Sequence, residues 1–144
     1  MFKHILIATD GSEVATKAVS SGLKLAKKLA ARVVVMTASE PLRATVTAET
    51  IAANFPAAYE KATQAEAERI LSEVRDEART IGLECETLHV VNFAAEAIIE
   101  TAKAHACDLI VMGSHGRRGI ARLLLGSQAT KVVTLSSVPV LIYR

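Results

Sequence analysis

Short apolar runs alternate with stretches of helical spacing along the chain. The run His4-Ile5-Leu6-Ile7-Ala8-Thr9 is continuously apolar and β-favouring, the pattern of a strand covered on both faces. Asp10-Gly11-Ser12 follows, with Asp10 and Ser12 both suited to cap a helix. Small or apolar residues then recur at Ala15, Ala18, Val19, Gly22, Leu25, Ala26 and Leu29, with Lys17, Lys24, Lys27 and Lys28 on the wet side. Arg32 to Thr37 reads as a second strand. Between Glu40 and Pro56 the pattern weakens, which predicts an irregular loop over the sheet edge with room for one short helix. A long helix rich in Ala and Glu spans Ala57 to Ile81, stopped by Gly82 at the C′ position. Then come a strand at Glu86–Val91, a helix at Ala94–His105 and a strand at Asp108–Met112. A last helix runs from Gly126 or Ser127 to Ser136, and a last strand from Val138 to Tyr143.

Strand and helix alternate without a repeat or a linker, so one domain over residues 1–144 is expected. Short strands joined by helices imply right-handed crossovers and a doubly wound, five-stranded parallel α/β sheet flanked by helices, a three-layer sandwich. Ligands of such sheets sit outside the carboxyl ends of the strands, where the strand order reverses. The turns expected to meet there are Thr9-Asp10-Gly11 and Gly113-Ser114-His115-Gly116, which are also the most glycine-marked.

Composition narrows the partners. Aromatic residues are 3% of the chain and Trp is absent, so the core must be Ala, Val, Ile and Leu. A net charge of +2 argues against general nucleic-acid binding, which needs a clustered basic face. Cys85 and Cys107 are too few and too far apart for a zinc module or a redox pair, and read as buried thiols in a reducing cytosol. No apolar run approaches the ~20 residues that span a membrane, and a cytoplasmic location is the expectation.

The stretch from Gly113 to Ser127 has the spacing Gly-x2-Gly-x9-Gly-Ser. Gly113 and Gly116 permit positive φ and a close approach of backbone to a ligand. Gly126-Ser127 places bare N–H groups and a hydroxyl at a helix N-terminus, where the dipole favours phosphate. Arg117, Arg118 and Arg122 offer charge-assisted bonds. There is no Gly-Lys-Ser/Thr of a Walker loop and no Gly-x-Gly-x-x-Gly dinucleotide turn.

This spacing, after Asp108-Leu109-Ile110-Val111-Met112 and before Val138-Pro139-Val140-Leu141-Ile142-Tyr143-Arg144, resembles the ATP-binding branch of the universal stress protein family. The opening Ile5-Leu6-Ile7-Ala8-Thr9-Asp10-Gly11-Ser12 is similar too, and the likeness covers the whole chain. The resemblance implies a Rossmann-like fold of the adenine nucleotide alpha hydrolase type. It implies ATP, or AMP or ADP, bound by Ala8, Thr9, Asp10, Ala38, Met112, Gly113, His115, Gly116, Arg117, Gly126, Ser127 and Gln128. In that set Gly113, Gly116, Gly126 and Ser127 meet ribose and phosphates. Asp10 sits by the ribose or a phosphate-bound Mg²⁺, and backbone near Ala38 meets the adenine edge. Gln128 departs from the small or β-branched residue common there, and Ala8 from the usual Pro or Ala-Val.

Catalysis has little support in the residues. His115 has no Ser, Cys or carboxylate arranged as a nucleophile–base set, so hydrolysis of ATP is expected to be slow at most. His4, His89 and His105 read as structural, and Glu66, Glu68, Glu73 and Glu77 against Lys61, Arg69, Arg75 and Arg79 as a solvated helix face. The last strand is expected at a sheet edge, which invites pairing with a second copy. The resemblance implies the same homodimer through Val138–Tyr143, serving as a stress-response module read by a further protein partner. Two alternatives stand beside it: a nucleotidyl-transfer or ligase enzyme on this layout, and a dimer that takes no nucleotide. The enzyme would need a His-x-Gly-His or Ser-Gly-Gly motif where the chain has Thr9-Asp10-Gly11-Ser12.

Overall fold

The computed structural model describes residues 1–42, 49, 54–116 and 125–144. Five strands, β1 (His4–Ala8), β2 (Arg32–Ser39), β3 (Glu86–Val91), β4 (Leu109–Gly113) and β5 (Val140–Tyr143), form one sheet in the order β3-β2-β1-β4-β5. Every neighbouring pair is parallel. The helices are α1 (Glu13–Leu29), α2 (Phe55–Thr80), α3 (Ala94–Ala104) and α4 (Ser127–Leu135). The expected doubly wound sheet is present, and its order reverses between β1 and β4.

The period of two along each strand divides the core into two layers. Ile5, Ile7, Val33, Val35, Leu109 and Val111 face one side and pack against Ala18, Leu23 and Ala26 of α1 and Val74 and Ala78 of α2. Leu6, Val34, Met36, Ile110 and Met112 face the other, against Ala97 and Ile98 of α3 and Ala129 and Val132 of α4. β1 is buried along its whole length, as its unbroken apolar run predicts. Each such Val, Leu or Ile removes its side chain from water for roughly 1.5–3 kcal/mol. Gly22 lets α1 approach closely: a Cβ there would stand 2.8 Å from Ile7 Cδ1.

Element ends follow local chemistry. Ser12, not Asp10, is the N-cap of α1, its Oγ accepting from the Ala15 N–H at 3.3 Å. α2 starts at Phe55, two residues before the expected Ala57, because Pro56 falls in its first turn, where no N–H is needed. Gly82 has φ +68 and follows the C-cap Ile81, as expected of a C′ glycine. β4 starts after Asp108, whose carboxylate accepts from the N–H groups of Lys3 (2.7 Å) and His4 (3.1 Å) and so ties β1 to β4. β5 starts at Val140 rather than Val138, since Pro139 has no N–H for the ladder. Its carbonyl still accepts from the Ile110 N–H at 3.0 Å.

The charged face of α2 forms as expected in kind, with Arg69 bonded to Glu66 and Glu73, Arg75 to Glu68, and Arg79 to Asp76 rather than Glu77. Cys107 is buried, whereas Cys85 is only half-buried, contrary to the expectation for both. The expected loop between Glu40 and Pro56 lies largely outside the described residues. Among the described residues no helix is long and apolar enough to cross a membrane.

Candidate functional site

The strand ends that meet at the switch point carry the two glycine-marked turns. β1 continues one residue past its end, where the Thr9 N–H donates to the Met36 carbonyl at 2.9 Å. The turn then folds on its own side chains. Thr9 Oγ1 accepts from the Gly11 N–H (3.2 Å), and Asp10 Oδ1 accepts from the Ser12 N–H (2.9 Å). Gly11 has φ +76, a left-handed conformation that favours glycine. This fixes Asp10 just past the end of β1, with its second oxygen turned toward Gly116. A Cβ on Gly116 would lie 2.5 Å from Asp10 Oδ2.

β4 ends at Gly113, hard against the start of α1. A Cβ at Gly113 would stand 3.0 Å from Val14 Cγ1 and 3.3 Å from the Ala15 nitrogen. Neither Gly113 nor Gly116 has positive φ among the backbone exceptions, so the expected left-handed conformation is not their reason for being glycine. Close packing is: a methyl group at Gly113 would press on Val14 and the backbone of Ala15, and one at Gly116 would displace the end of the Asp10 side chain. The next residue, Ser114, is 2% exposed and holds the ends of the loop together. Its N–H donates to the Tyr143 carbonyl (2.6 Å), its carbonyl accepts from the Gly126 N–H (2.7 Å), and its hydroxyl meets His115 Nδ1 (3.1 Å).

Gly126 is the N-cap of α4. Sequence spacing offered its N–H to an anion, but Ser114 already takes it. The first intrahelical bond runs from the Thr130 N–H to the Gly126 carbonyl at 2.9 Å, so the N–H groups of Ser127, Gln128 and Ala129 have no acceptor within the helix. Those are the groups that a phosphate at this helix end meets first. The Gln128 side chain points elsewhere: its Oε1 accepts from the Ala95 N–H at 3.1 Å. That supplies α3 with the cap that Phe93, its N-cap residue, cannot make.

Ala8, Ala38 and Met112 all pack with the core layer on the α3 and α4 side. β2, β1 and β4 are neighbours, so Ala38, the Thr9–Asp10 turn and Gly113 stand side by side at one end of the sheet. Ser39 Oγ and His89 Nε2 meet at 2.8 Å just beyond Ala38. Among the expected site residues, Arg117 lies outside the described residues, as do Arg118 and Arg122. The others gather at this end. Ser114 and Val14 carry no local signal of a role: one reads as a polar loop residue, the other as helix core.

These features define a Rossmann-like α/β domain whose switch point brings a carboxylate turn and the N-terminus of α4 to the same end of the sheet. The chain belongs to the universal stress protein family, whose family model matches residues 1–144. A universal stress protein of Thermus aquaticus is 37% identical over 146 residues, all of both chains. The solved structure of MJ0577, a universal stress protein of Methanocaldococcus jannaschii, superposes with a TM-score of 0.83 at 27% identity, covering 99% of this chain and 96% of the other. A universal stress protein solved in complex with cAMP gives a TM-score of 0.72 at 27% identity, covering 99% and 97%.

Proposed function

We propose that this chain is a one-domain, homodimeric, cytoplasmic stress-response module that binds ATP between the Asp10 turn and the N-terminus of α4. The observation that carries the reading is the Asp10–Gly116 contact at the β1/β4 switch point, beside the first turn of α4, whose leading N–H groups have no acceptor within the helix. The relative solved with cAMP supports an adenine nucleotide as the ligand class. In this reading the N–H groups of Ser127 and Gln128 donate to phosphate oxygens, and Asp10 takes the ribose hydroxyls or a phosphate-bound Mg²⁺. Backbone near Ala38 borders the base, with Met112 beneath it.

Among the described residues no three His, Cys, Asp or Glu side chains stand close enough to share a metal. Asp10 therefore suits a Mg²⁺ that draws its remaining ligands from phosphate and water, as that ion commonly does. When bound, Mg²⁺ would neutralise phosphate charge. The chain's own part is to bind and orient: the Thr9 and Ser12 bonds fix Asp10, and the α4 dipole favours the anion. His115 Nδ1 meets the Ser114 hydroxyl, but Ser114 is 2% exposed and so closed to a phosphate as a nucleophile, which supports slow hydrolysis at most.

The free edge of β5 supports the dimer, with Leu141 on the strand and Val133 and Leu135 on α4 exposed beside it. Isothermal titration with ATP and AMP, with and without Mg²⁺, tests the site. Heat with MgATP that is lost in Asp10→Ala is the expected result. Absence of heat with every adenine nucleotide sinks the reading in favour of a nucleotide-free dimer.

A further inference from the structure

Ser114 has both of its backbone groups engaged. Its N–H is anchored on the Tyr143 carbonyl of β5 at 2.6 Å, and its carbonyl accepts from the Gly126 N–H at 2.7 Å. Only the hydroxyl is left to act, and it meets His115 Nδ1 at 3.1 Å. At 2% exposure that hydroxyl cannot turn to bulk water, and among the described residues it has no second partner.

This geometry chooses between the two neutral forms of the ring. A neutral imidazole has one N–H and one bare nitrogen. With the proton on Nδ1, the ring would donate to Oγ, and the Ser114 hydroxyl proton would be buried without an acceptor, a costly state. With Nδ1 bare, the hydroxyl donates to it and both groups are satisfied. The ring proton then sits on Nε2. Among the described residues Nε2 has no partner and is not sealed from solvent. His115 itself stands against the N-cap of α4: a Cβ on Gly126 would lie 3.2 Å from its Cα and 3.3 Å from its Cβ.

We propose that Ser114 is a positioning residue for nucleotide binding. Its hydroxyl holds His115 as the Nε2–H tautomer, and the neutral ring then donates through Nε2 to a phosphate oxygen at the N-terminus of α4. The opposite tautomer would turn a lone pair toward the anion. The proposal rests on the nucleotide-binding reading above and adds the group that prepares His115 for it.

Long-range proton–nitrogen NMR of the nucleotide-free wild-type chain at about pH 8, where an ordinary imidazole is neutral, reads the tautomer directly. A bare Nδ1 and a protonated Nε2 are expected, with a mixture of both forms in Ser114→Ala. Titration calorimetry with MgATP is the second readout. His115→Ala should weaken binding about tenfold and Ser114→Ala about fivefold. In the His115→Ala background, Ser114→Ala should cost less than about twofold more, because Ser114 acts through the ring. A proton on Nδ1, or a tautomer unchanged by Ser114→Ala, overturns the proposal. So does a Ser114→Ala loss that persists in full without His115, the mark of a merely structural serine. MgATP affinity within about twofold of wild type in His115→Ala overturns the donor role and leaves the nucleotide site standing. A wild-type chain that takes no MgATP removes the proposal along with the reading it rests on, whatever the tautomer.

Discussion

The carboxylate of Asp10 and the α-carbon of Gly116 stand so close that a single methyl group on Gly116 would lie 2.5 Å from Oδ2. Gly116→Ala must therefore move the end of the Asp10 side chain, a displacement that costs the fold little. Global stability is expected to stay within about 1 kcal/mol of wild type. Affinity for MgATP should fall about tenfold or more, as one charge-assisted contact is lost. Calorimetry beside a urea titration separates the two effects, and unchanged affinity would remove Asp10 from the site.

Gln128 divides by atom. Its side chain caps α3 through the Ala95 N–H, while its backbone N–H belongs to the first turn of α4. Gln128→Ala should lower stability by about 1 kcal/mol, the usual worth of a cap. Nucleotide affinity should change by less than about threefold. A large loss of affinity without loss of stability would return the side chain to the phosphate.

Asp108 links acid stability to the β1–β4 seam. Burial opposes its ionisation, but the Lys3 and His4 N–H groups and its own outweigh burial and hold the carboxyl below its ordinary value. The group binds its proton more weakly folded than unfolded, so its stabilisation is complete above the unfolded value of about 3.9. It is lost as pH falls through the lower folded value. Asp108→Ala is expected to cost about 2 kcal/mol at neutral pH. The gap to wild type in urea midpoints should narrow below about pH 4, and a constant gap would contradict the linkage.

Ile142→Pro removes an N–H that faces away from β4 and leaves the Tyr143 anchor in place. Proline is tolerated on an edge strand, so the fold should survive. Sedimentation should show a monomer under conditions where the wild-type chain forms the proposed dimer. A dimer of undiminished strength would move the interface away from β5.

Gly22→Val tests the approach of α1 to β1. Its side chain would enter space held by Ile7 and Val111, whose atoms would lie 2.8 and 3.3 Å from the new Cβ. Overpacking of this kind costs about 1–3 kcal/mol. Thermal unfolding should register it, and a neutral result would mean that the layer has slack.

The sheet was legible because each strand is a short apolar run and each helix carries a 3.6-residue stripe. The meeting of the two glycine turns was legible because parallel sheets with crossover helices place those turns at the same end. Boundaries were less so. Pro56 marks a break in a pattern, yet the first turn of a helix accepts it as readily as a loop does. The choice of Ser12 over Asp10 as the cap was open in the sequence for a similar reason: both residue types accept N–H bonds, and only the path of the chain selects one.

Within the site, residue types and spacing were enough to mark Asp10, Gly113, Gly116 and Gly126 by themselves. What each glycine is for came only with the third dimension. Gly113 and Gly116 are small because Val14 and Asp10 arrive from distant points in the sequence, not because their backbones are left-handed. Tertiary structure also spent the Gly126 N–H on Ser114 and turned Gln128 toward Ala95. Local pattern determines which elements form, since periodicity and capping act over a few residues. Which donors remain for a ligand is decided by long-range partners, and no local pattern encodes those.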